Sequence, residues 1–286
     1  MSCLRSRKAV SMRPDPRTTI VFLHSLGASR REWDDVIGRL SDEMQTVAMD
    51  IPGFGDRAAE GYCDVQVVLD DLCRRLTDLD LARWVIVGHS MGGKFATLIA
   101  ARARDGAAGL SGLLGVALVA GSPPSSEPMD EDRRADMLTW FDDPTELEGR
   151  GRRFIEANTA KGLPQNAFQQ ALTDFRRTSA DAWRGWLAYG SREDWSAQAG
   201  VIPLPALIIA GAEDGDLGEA AQRRCNALHF GWPQVVVVPK AAHLIPQEQP
   251  ERLADLIRDF TEMAGATAQS GPDPDGRGPA HGRSLP

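Results

Sequence analysis

The stretch VIVGHSMGGKF, residues 85–95, fits two motifs that belong to different folds and different chemistries. Read as GxxxxGK it resembles a phosphate-binding loop, and read as GxSxG it presents a serine nucleophile on a turn between a strand and a helix. A phosphate-binding loop needs Ser or Thr directly after its lysine to hold magnesium, but Phe95 follows Lys94 here. We therefore predict the second motif, in which Gly88 and Gly92 leave room for a tight turn and Ser90 is the nucleophile.

Short apolar segments alternate with longer amphipathic ones on both sides of this stretch. The apolar segments are rich in Val and Ile, as expected for strands of a parallel sheet that is covered on both faces. They are TTIVFLH (18–24), QTVAMD (45–50), WVIVGHS (84–90), LLGVALVAG (113–121), PALIIAG (205–211) and QVVVVP (234–239). Helical patterns lie between them at 65–79, 91–104 and 219–229. This alternation predicts an α/β fold with a doubly wound, mostly parallel sheet.

The interval between the fourth and fifth predicted strands is too long for a loop. We predict that residues 122–200 form an inserted helical lid, with helices near 133–141, 146–160, 165–177 and 181–189. Four tryptophans fall within it: Trp140, Trp183, Trp186 and Trp195. Aromatic side chains most often hold a small core together, and we expect some of these to face a ligand. The core then comprises 18–121 and 201–263, between a flexible N-terminal extension (1–17) and a disordered tail (264–286).

A serine at neutral pH attacks a carbonyl only when a neighbouring imidazole accepts its proton. His243 follows the last predicted strand and precedes the last helix, at the sheet edge where the carboxyl ends of parallel strands gather catalytic groups. The other histidines have less suitable places: the end of the first strand (His24), the position before Ser90 (His89), a helix (His229) and the tail (His281). We therefore predict that His243 is the general base.

The base needs an acidic partner that fixes its tautomer. Asp214 follows the fifth predicted strand, on the same sheet edge, and is the preferred candidate, with Glu213 and Asp216 as alternatives. The order serine, acid, histidine is the one that accompanies a nucleophile on a strand-to-helix turn. Two backbone N–H groups are expected to form an oxyanion hole, one from Met91 after the nucleophile and one from Leu26 in the loop after the first strand.

Composition excludes several classes of protein. The chain has 286 residues, 42% of them hydrophobic, and a net charge of -8, so no basic surface for nucleic acid or an anionic membrane is expected. No apolar stretch is long enough for a signal peptide or a membrane span, which makes the cytoplasm the expected location. The cysteines show no CxxC pair or metal-ligand spacing, and we expect free thiols, no metal and no cofactor. They are Cys3, Cys63, Cys73 and Cys225.

Several motifs in this order resemble the α/β-hydrolase superfamily, in particular its lid-bearing esterases, lactonases, C–C bond hydrolases and cofactor-free haloperoxidases. The matching segments are HSLG (24–27), DIPGFG (50–55), GHSMGG (88–93), GAED (211–214) and AH (242–243). The resemblance implies a triad of Ser90, Asp214 and His243 and an oxyanion hole formed by Leu26 and Met91. This chain has Ser25 where the family commonly has glycine; the hydroxyl could narrow the acyl side of the site, bond to substrate or be a harmless variant. The glycines of DIPGFG are expected to shape a turn.

Two classes of function are compatible with these residues. The first is hydrolysis of a carboxylic ester, or a related acyl bond, of a small and mostly apolar substrate through an acyl-enzyme intermediate. Relatives of this kind use the same three side chains for C–C bond hydrolysis, lactone hydrolysis, acyl transfer or peracid formation. The second class is a non-catalytic ligand-binding protein built on a hydrolase fold.

Overall fold

The protein is described by a computed structural model that covers residues 17–40, 44–61 and 64–269. Six parallel strands form one sheet in the order β2-β1-β3-β4-β5-β6. Their bounds are β1 Thr19–Leu23, β2 Gln45–Met49, β3 Trp84–His89, β4 Leu113–Val119, β5 Ile202–Gly211 and β6 Phe230–Val238. The predicted α/β fold with a parallel sheet is confirmed.

Helices cover both faces of this sheet and fill the interval between β4 and β5. They are α1 Asp34–Ile37, α2 Val65–Asp78, α3 Met91–Arg104, α4 Glu131–Leu138, α5 Leu147–Ala157, α6 Gln165–Arg177, α7 Ala180–Gly185, α8 Ser196–Ala199, α9 Glu219–Ala221, α10 Ile245–Glu248 and α11 Pro250–Gln269. Short 3₁₀ or π turns occupy Arg30–Trp33, Gly55–Glu60, Trp186–Gly190, Gln222–Asn226 and Ala227–His229.

Alternate residues of each strand belong to two separate hydrophobic cores. Val21 and Leu23 of β1 pack in the core that includes α2 and α3, whereas Ile20 and Phe22 pack in the core that includes α11. Successive side chains of a strand point to opposite faces, so a strand covered on both sides must be apolar throughout. This is why β1 and β3 lack the alternation of an exposed strand.

Local signals explain where the main helices begin and which faces they bury. Asp64 caps α2 by accepting a 2.7 Å hydrogen bond from the amide of Val67, and Val65, Val68 and Leu72 form its buried face. In α3 every residue from Met91 to Ala101 is buried, because the helix lies between the sheet and the helices that precede β5.

The segment between β4 and β5 packs directly on the core. Trp183 and Trp186 are almost completely buried and belong to the same hydrophobic core as α3 and β3. Observed α6 coincides with the predicted helix 165–177, while the predicted helix 181–189 is α7 followed by a π turn. The definition of 122–200 as a lid remains a prediction.

Several expected boundaries differ from the observed ones. Helix α11 continues to Gln269, past the predicted start of the tail at 264, because Ala264 is buried and extends its apolar face. The predicted helix 219–229 is a short α-helix that widens into a π turn and tightens into a 3₁₀ turn. Residues 1–16 and 270–286, together with Cys63, lie outside the described residues, and with them Cys3 and His281. Among the described residues, Cys73 and Cys225 are free thiols. Among the described helices, none is long and apolar enough to cross a bilayer.

Candidate active site

Aligned strand ends bring the predicted site residues to one edge of the sheet. The register pairs Leu23 with Gly88, His89 with Val119, Val119 with Ile209 and Gly211 with Val238. The segments that follow these strands therefore start at nearly the same height. They contain Leu26, Ser90, Ser122, Asp214 and His243.

Ser90 occupies a strained turn between β3 and α3. Its φ of 49° and ψ of -118° place a non-glycine residue in a region that L-amino acids rarely adopt. A Cβ at Gly92 would lie 2.5 Å from the carbonyl oxygen of Leu23, and one at Gly88 would lie 2.3 Å from the carbonyl oxygen of Gly92. Close packing of α3 on the sheet thus requires glycine on both sides of Ser90. The amide of Ser90 donates to the carbonyl of Val119 at 3.0 Å, which fixes the turn.

Asp214 and His243 are in direct contact. Nδ1 of His243 lies 2.8 Å from Oδ2 of Asp214, and both side chains are largely buried. The other carboxylate oxygen, Oδ1, accepts hydrogen bonds from the amides of Asp216 and Leu217 at 3.1 and 3.0 Å. The ring nitrogen Nδ1 and the two amides thus hold the carboxylate in one orientation. Because Nδ1 of His243 is engaged by Asp214, Nε2 is the ring nitrogen that can act as a base. Of the two alternatives, Asp216 pairs instead with Arg133.

Electrostatics reinforce this pair. Burial alone would raise the pKa of Asp214, but the charge and hydrogen bond of His243, together with two amides, hold that pKa below its usual value. Burial alone would lower the pKa of His243, but Asp214, and then the charges of Glu127 and Glu32, hold it above its usual value. The site stabilises an imidazolium next to a carboxylate, which is the charge distribution that develops when a histidine accepts a proton from a nucleophile.

The turn that carries Ser90 also contacts the loop that carries His243. Nε2 of His89 lies 2.8 Å from the carbonyl oxygen of His243, and the two imidazole rings are 5.3 Å apart between centroids. Within the described part of the chain, the hydroxyl of Ser90 does not form a hydrogen bond with His243. Hydrogen bonds of this kind are often long in unliganded enzymes and tighten when substrate binds.

Neither predicted oxyanion amide donates to another acceptor within the described part of the chain. Met91 is the first residue of α3, where a helix leaves its N–H groups unpaired and concentrates partial positive charge. Leu26 lies in the loop after β1, and within the described residues its amide donates to no carbonyl or side chain. Gly27 has a φ of 75°, which turns the loop back toward the aromatic side chains of Trp183 and Phe175.

A buried carboxylate that the sequence analysis did not identify, Glu32, explains Ser25. The hydroxyl of Ser25 donates to Oε1 of Glu32 at 2.6 Å and its amide donates to Oε2 at 3.0 Å. Oε1 also lies 2.9 Å from Nδ1 of His89. Burial alone would raise the pKa of Glu32, but His89 and Ser25 hold it below its usual value. Ser25 therefore shapes the loop before Leu26, and its hydroxyl is already engaged within the protein.

A second carboxylate missed in the sequence analysis, Glu127, lies close to the proposed base. It accepts a 2.5 Å hydrogen bond from the hydroxyl of Ser122, whose amide donates to the carbonyl of Ser90 at 2.9 Å. Burial raises the pKa of Glu127, and its charge in turn contributes to the raised pKa of His243. Glu127 follows β4 by eight residues, so a rule that considers only the residues directly after a strand does not identify it.

The inserted helices hold the His243 loop in place. The carbonyl of Asn158, just after α5, accepts hydrogen bonds from the amides of His243 and Leu244, both at 3.1 Å. Glu248 bridges the same two segments, because its carboxylate accepts from the amides of Ala160 and Ala242 at 2.6 and 2.8 Å. The position of the proposed base thus depends on the end of α5.

Lysine 94, which completes the phosphate-loop pattern, has a structural role. Its ammonium is fully buried and donates to the carbonyls of Gly190 and Glu193, both at 2.9 Å. Burial lowers the pKa of Lys94 to about 8. These bonds tie α3 to the segment that precedes α8.

Among the described residues, His24 and His229 have partners within the protein, and Gly53 shapes a turn. Nε2 of His24 accepts the amide of Ile51 at 3.0 Å, and Nδ1 of His229 lies 2.9 Å from the carbonyl of Gly200. In the segment 50–55, Gly53 has a φ of 90°, and a Cβ there would lie 2.2 Å from that of Ala182. That glycine shapes a turn and admits α7. Among the described residues, no group of histidines, cysteines and carboxylates could hold a metal ion.

A parallel sheet with a strained serine turn after its third strand, and an Asp–His pair at the same edge, is typical of the α/β hydrolases. The chain belongs to the alpha/beta hydrolase family, whose sequence model matches residues 20–256. It is therefore an α/β-hydrolase enzyme, as the resemblance implied.

Individual relatives carry esterase and lactonase names. The chain is 26% identical over 265 residues to a pimeloyl-[acyl-carrier protein] methyl ester esterase of Neisseria meningitidis serogroup C, which covers 90% of this chain and 98% of that protein. It is 26% identical to the biotin biosynthesis bifunctional protein BioHC of Teredinibacter turnerae and spans 45% of that protein's length, with 86% of this chain covered. The crystal structure of an enol-lactonase from Burkholderia xenovorans LB400 has a TM-score of 0.70 at 22% identity, covering 87% of this chain and 93% of that one. This structural likeness supports the fold.

Proposed function

We propose that this chain hydrolyses a carboxylic ester of a small, mostly apolar acyl substrate through a covalent acyl-enzyme. The observation that carries the proposal is the 2.8 Å contact between His243 and Asp214 at the sheet edge where the strained turn presents Ser90. An ester is favoured because a relative matched over 90% of this chain and 98% of its own length is named as a methyl ester esterase.

In the proposed reaction, the hydroxyl oxygen of Ser90 attacks the ester carbonyl while Nε2 of His243 accepts the hydroxyl proton. Asp214 fixes the proton on Nδ1 and stabilises the imidazolium, and the amides of Leu26 and Met91 bind the oxyanion. When the C–O bond breaks, His243 returns its proton to the leaving alcohol. Water then attacks the acyl-enzyme with His243 as base, which releases the carboxylic acid and restores Ser90.

An apolar acyl group is supported by the cover of the site. Trp140, Phe154, Phe175 and Trp183 form a cluster whose ring centroids lie 5.2 to 6.5 Å apart, and three of these rings lie next to Gly27 in the loop of Leu26. Most aromatic surface in this cluster packs against itself, so the substrate meets only its edge. The gap next to Leu26 is narrow, about 20 Å³, and is lined mainly by apolar side chains.

A fluorophosphonate probe and an ester assay test the proposal together. Wild type is expected to be labelled on Ser90, as located by mass spectrometry of the peptide, and to hydrolyse p-nitrophenyl butyrate. Ser90→Ala should abolish labelling and lower kcat by about 10⁶-fold. Ser126→Ala is the matched control, because this exposed hydroxyl only donates to the carbonyl of Arg192. Folded wild-type protein that neither reacts with the probe nor hydrolyses esters would indicate a non-catalytic ligand-binding protein instead.

A further inference from the structure

Next to the candidate active site lies a second buried acid and histidine, Glu32 and His89, to which the proposed reaction gives no role. Glu32 is 4% exposed and His89 is completely buried. They come from different elements, because Glu32 lies in the 3₁₀ turn Arg30–Trp33 and His89 is the last residue of β3. Oε1 of Glu32 lies 2.9 Å from Nδ1 of His89. We call these two residues the Glu32–His89 pair.

Both ring nitrogens of His89 face an acceptor. Nδ1 faces the carboxylate of Glu32, and Nε2 lies 2.8 Å from the carbonyl oxygen of His243. A neutral imidazole has one N–H and one lone pair, so it would direct a lone pair at one of these two oxygens, whereas an imidazolium presents an N–H to both. The contact between Nδ1 and Oε1 lacks the alignment of a good hydrogen bond, and the attraction of opposite charges accounts for its short distance. The surroundings of His89 therefore favour the charged ring.

Glu32 is the negative partner of the pair. Its two carboxylate oxygens accept hydrogen bonds from the hydroxyl and the amide of Ser25, at 2.6 and 3.0 Å, so both act as acceptors. Burial alone would raise the pKa of Glu32, but the charge and hydrogen bond of His89, and then Ser25, hold that pKa below its usual value. A buried charge is costly unless it is paired. The Glu32–His89 pair thus holds one positive and one negative charge, with no net charge.

The pair also holds the loop that carries the predicted oxyanion donor Leu26. Glu32 anchors the amide and the hydroxyl of Ser25, and the carbonyl oxygen of Ser25 lies 2.8 Å from Nδ1 of His24. That nitrogen carries the ring proton, because Nε2 of His24 accepts the amide of Ile51. In a trans peptide the carbonyl of one residue and the N–H of the next point in opposite directions. The contacts of Ser25 therefore set the direction of the N–H of Leu26.

We propose that Glu32 and His89 are positioning residues of the hydrolase reaction. The carboxylate fixes Ser25, and with it the N–H of Leu26 that binds the oxyanion, while the imidazolium fixes the backbone carbonyl of His243, the base. One buried ion pair thus sets the distance between two groups that approach the substrate carbonyl from different loops. The positioning role rests on the function proposed above, whereas the charge state of the pair does not.

Two substitutions of Glu32 test the positioning role with p-nitrophenyl butyrate, below the melting temperature of each variant. Glu32→Leu removes the contacts to Ser25 and His89 and should lower kcat by about 10- to 100-fold with KM unchanged, because misplaced groups lose transition-state stabilisation. Glu32→Gln should keep kcat near the wild-type value, since its carbonyl oxygen can accept the amide of Ser25 while its NH₂ group donates to a neutral His89.

Two more variants complete the kinetic test. Glu219→Leu, at a side chain that is 46% exposed and pairs with Arg223, is the matched control and should keep wild-type kcat. Ser25→Ala removes one contact of Glu32 and should give a smaller loss of kcat, also at constant KM, which tests the proposal even if Glu32→Leu does not fold. Wild-type kcat in folded Glu32→Leu, or in Ser25→Ala where Glu32→Leu does not fold, would overturn the positioning role.

The charge state of the pair is measured without a substrate. Nitrogen-15 NMR of protein labelled at its five histidines, with signals assigned by single substitutions, shows how many protons each ring carries. In wild type at pH 7, His89 should carry a proton on both ring nitrogens, and in Glu32→Gln on Nε2 alone; a single proton in wild type would overturn the ion pair. If His89 has two protons but no ester is hydrolysed, the hydrolase proposal and the positioning role fail while the ion pair stands. If esters are hydrolysed through Ser90 but kcat is the same without Glu32, the positioning role fails alone.

Discussion

Replacement of Asp214 by asparagine should lower kcat for p-nitrophenyl butyrate by about 10⁴-fold, equal to about 5.4 kcal/mol of activation free energy. The structure gives the reason. Oδ1 of Asp214 accepts two backbone amides, so an asparagine must keep its carbonyl oxygen there and turn its NH₂ group toward His243. That group donates to Nδ1, which leaves the proton on Nε2, where the imidazole can no longer accept the proton of Ser90.

The same substitution has a suitable control two residues away. Asp216→Asn changes a half-exposed carboxylate that pairs with Arg133, and it preserves the backbone amide that Asp214 needs, so kcat should stay at the wild-type level. Initial rates across pH and a thermal melt of each variant are the required measurements. A folded Asp214→Asn enzyme with wild-type kcat, or an Asp216→Asn enzyme with the larger loss, would refute the assignment of Asp214.

Three further predictions concern the surroundings of the site. Trp183→Ala should destabilise the protein by about 3–5 kcal/mol and lower Tm by about 6–20 °C, because the side chain of Trp183 is completely buried. Trp232→Ala, at a side chain that is 43% exposed, is the control and should change Tm little. Equal shifts of Tm in calorimetry would contradict this prediction. Glu127→Gln removes a negative charge that raises the pKa of His243, so the neutral imidazole should persist to lower pH. The acid limb of the pH profile of kcat/KM should then shift to lower pH. An acid limb at the wild-type pH would show that this charge does not affect the pKa of His243. Gly92→Ala places a Cβ 2.5 Å from a backbone oxygen of β1, and loss of cooperative melting or of activity is expected; a variant that melts and turns over like wild type would show that α3 can shift without cost.

The fold and the identities of the proposed catalytic residues could be predicted because local rules determine them. Gly88 and Gly92 mark a turn in which a Cβ has no room, and the apolar runs locate strands whose carboxyl ends must share an edge. With Ser90 on that edge, one short acidic cluster and one histidine follow the last two strands. The choice among Glu213, Asp214 and Asp216 needed coordinates, because adjacent residues of a loop point in different directions.

The carboxylates around the site could not be predicted in the same way. Glu32 contacts Ser25 across a 3₁₀ turn and His89 across the sheet edge, and no periodicity in the sequence encodes either contact. Glu127 reaches Ser122 because the chain folds back after β4. Likewise, Asp174 lies in a helix whose predicted bounds were correct, yet only the tertiary structure shows that this carboxylate is buried and that burial raises its pKa. Such contacts depend on tertiary geometry.

The two hydrogen bonds that the amides of His243 and Leu244 donate to the carbonyl of Asn158 restrict how a substrate can enter. If the end of α5 moved away from the sheet, it would either displace the backbone of His243, the proposed base, or break both hydrogen bonds. A site opened in this way would therefore have His243 out of position to act as a base. Substrate entry at the end of α5 is thus incompatible with catalysis. Entry that keeps His243 in place requires movement of other parts of the segment between β4 and β5 while Asn158 stays in position.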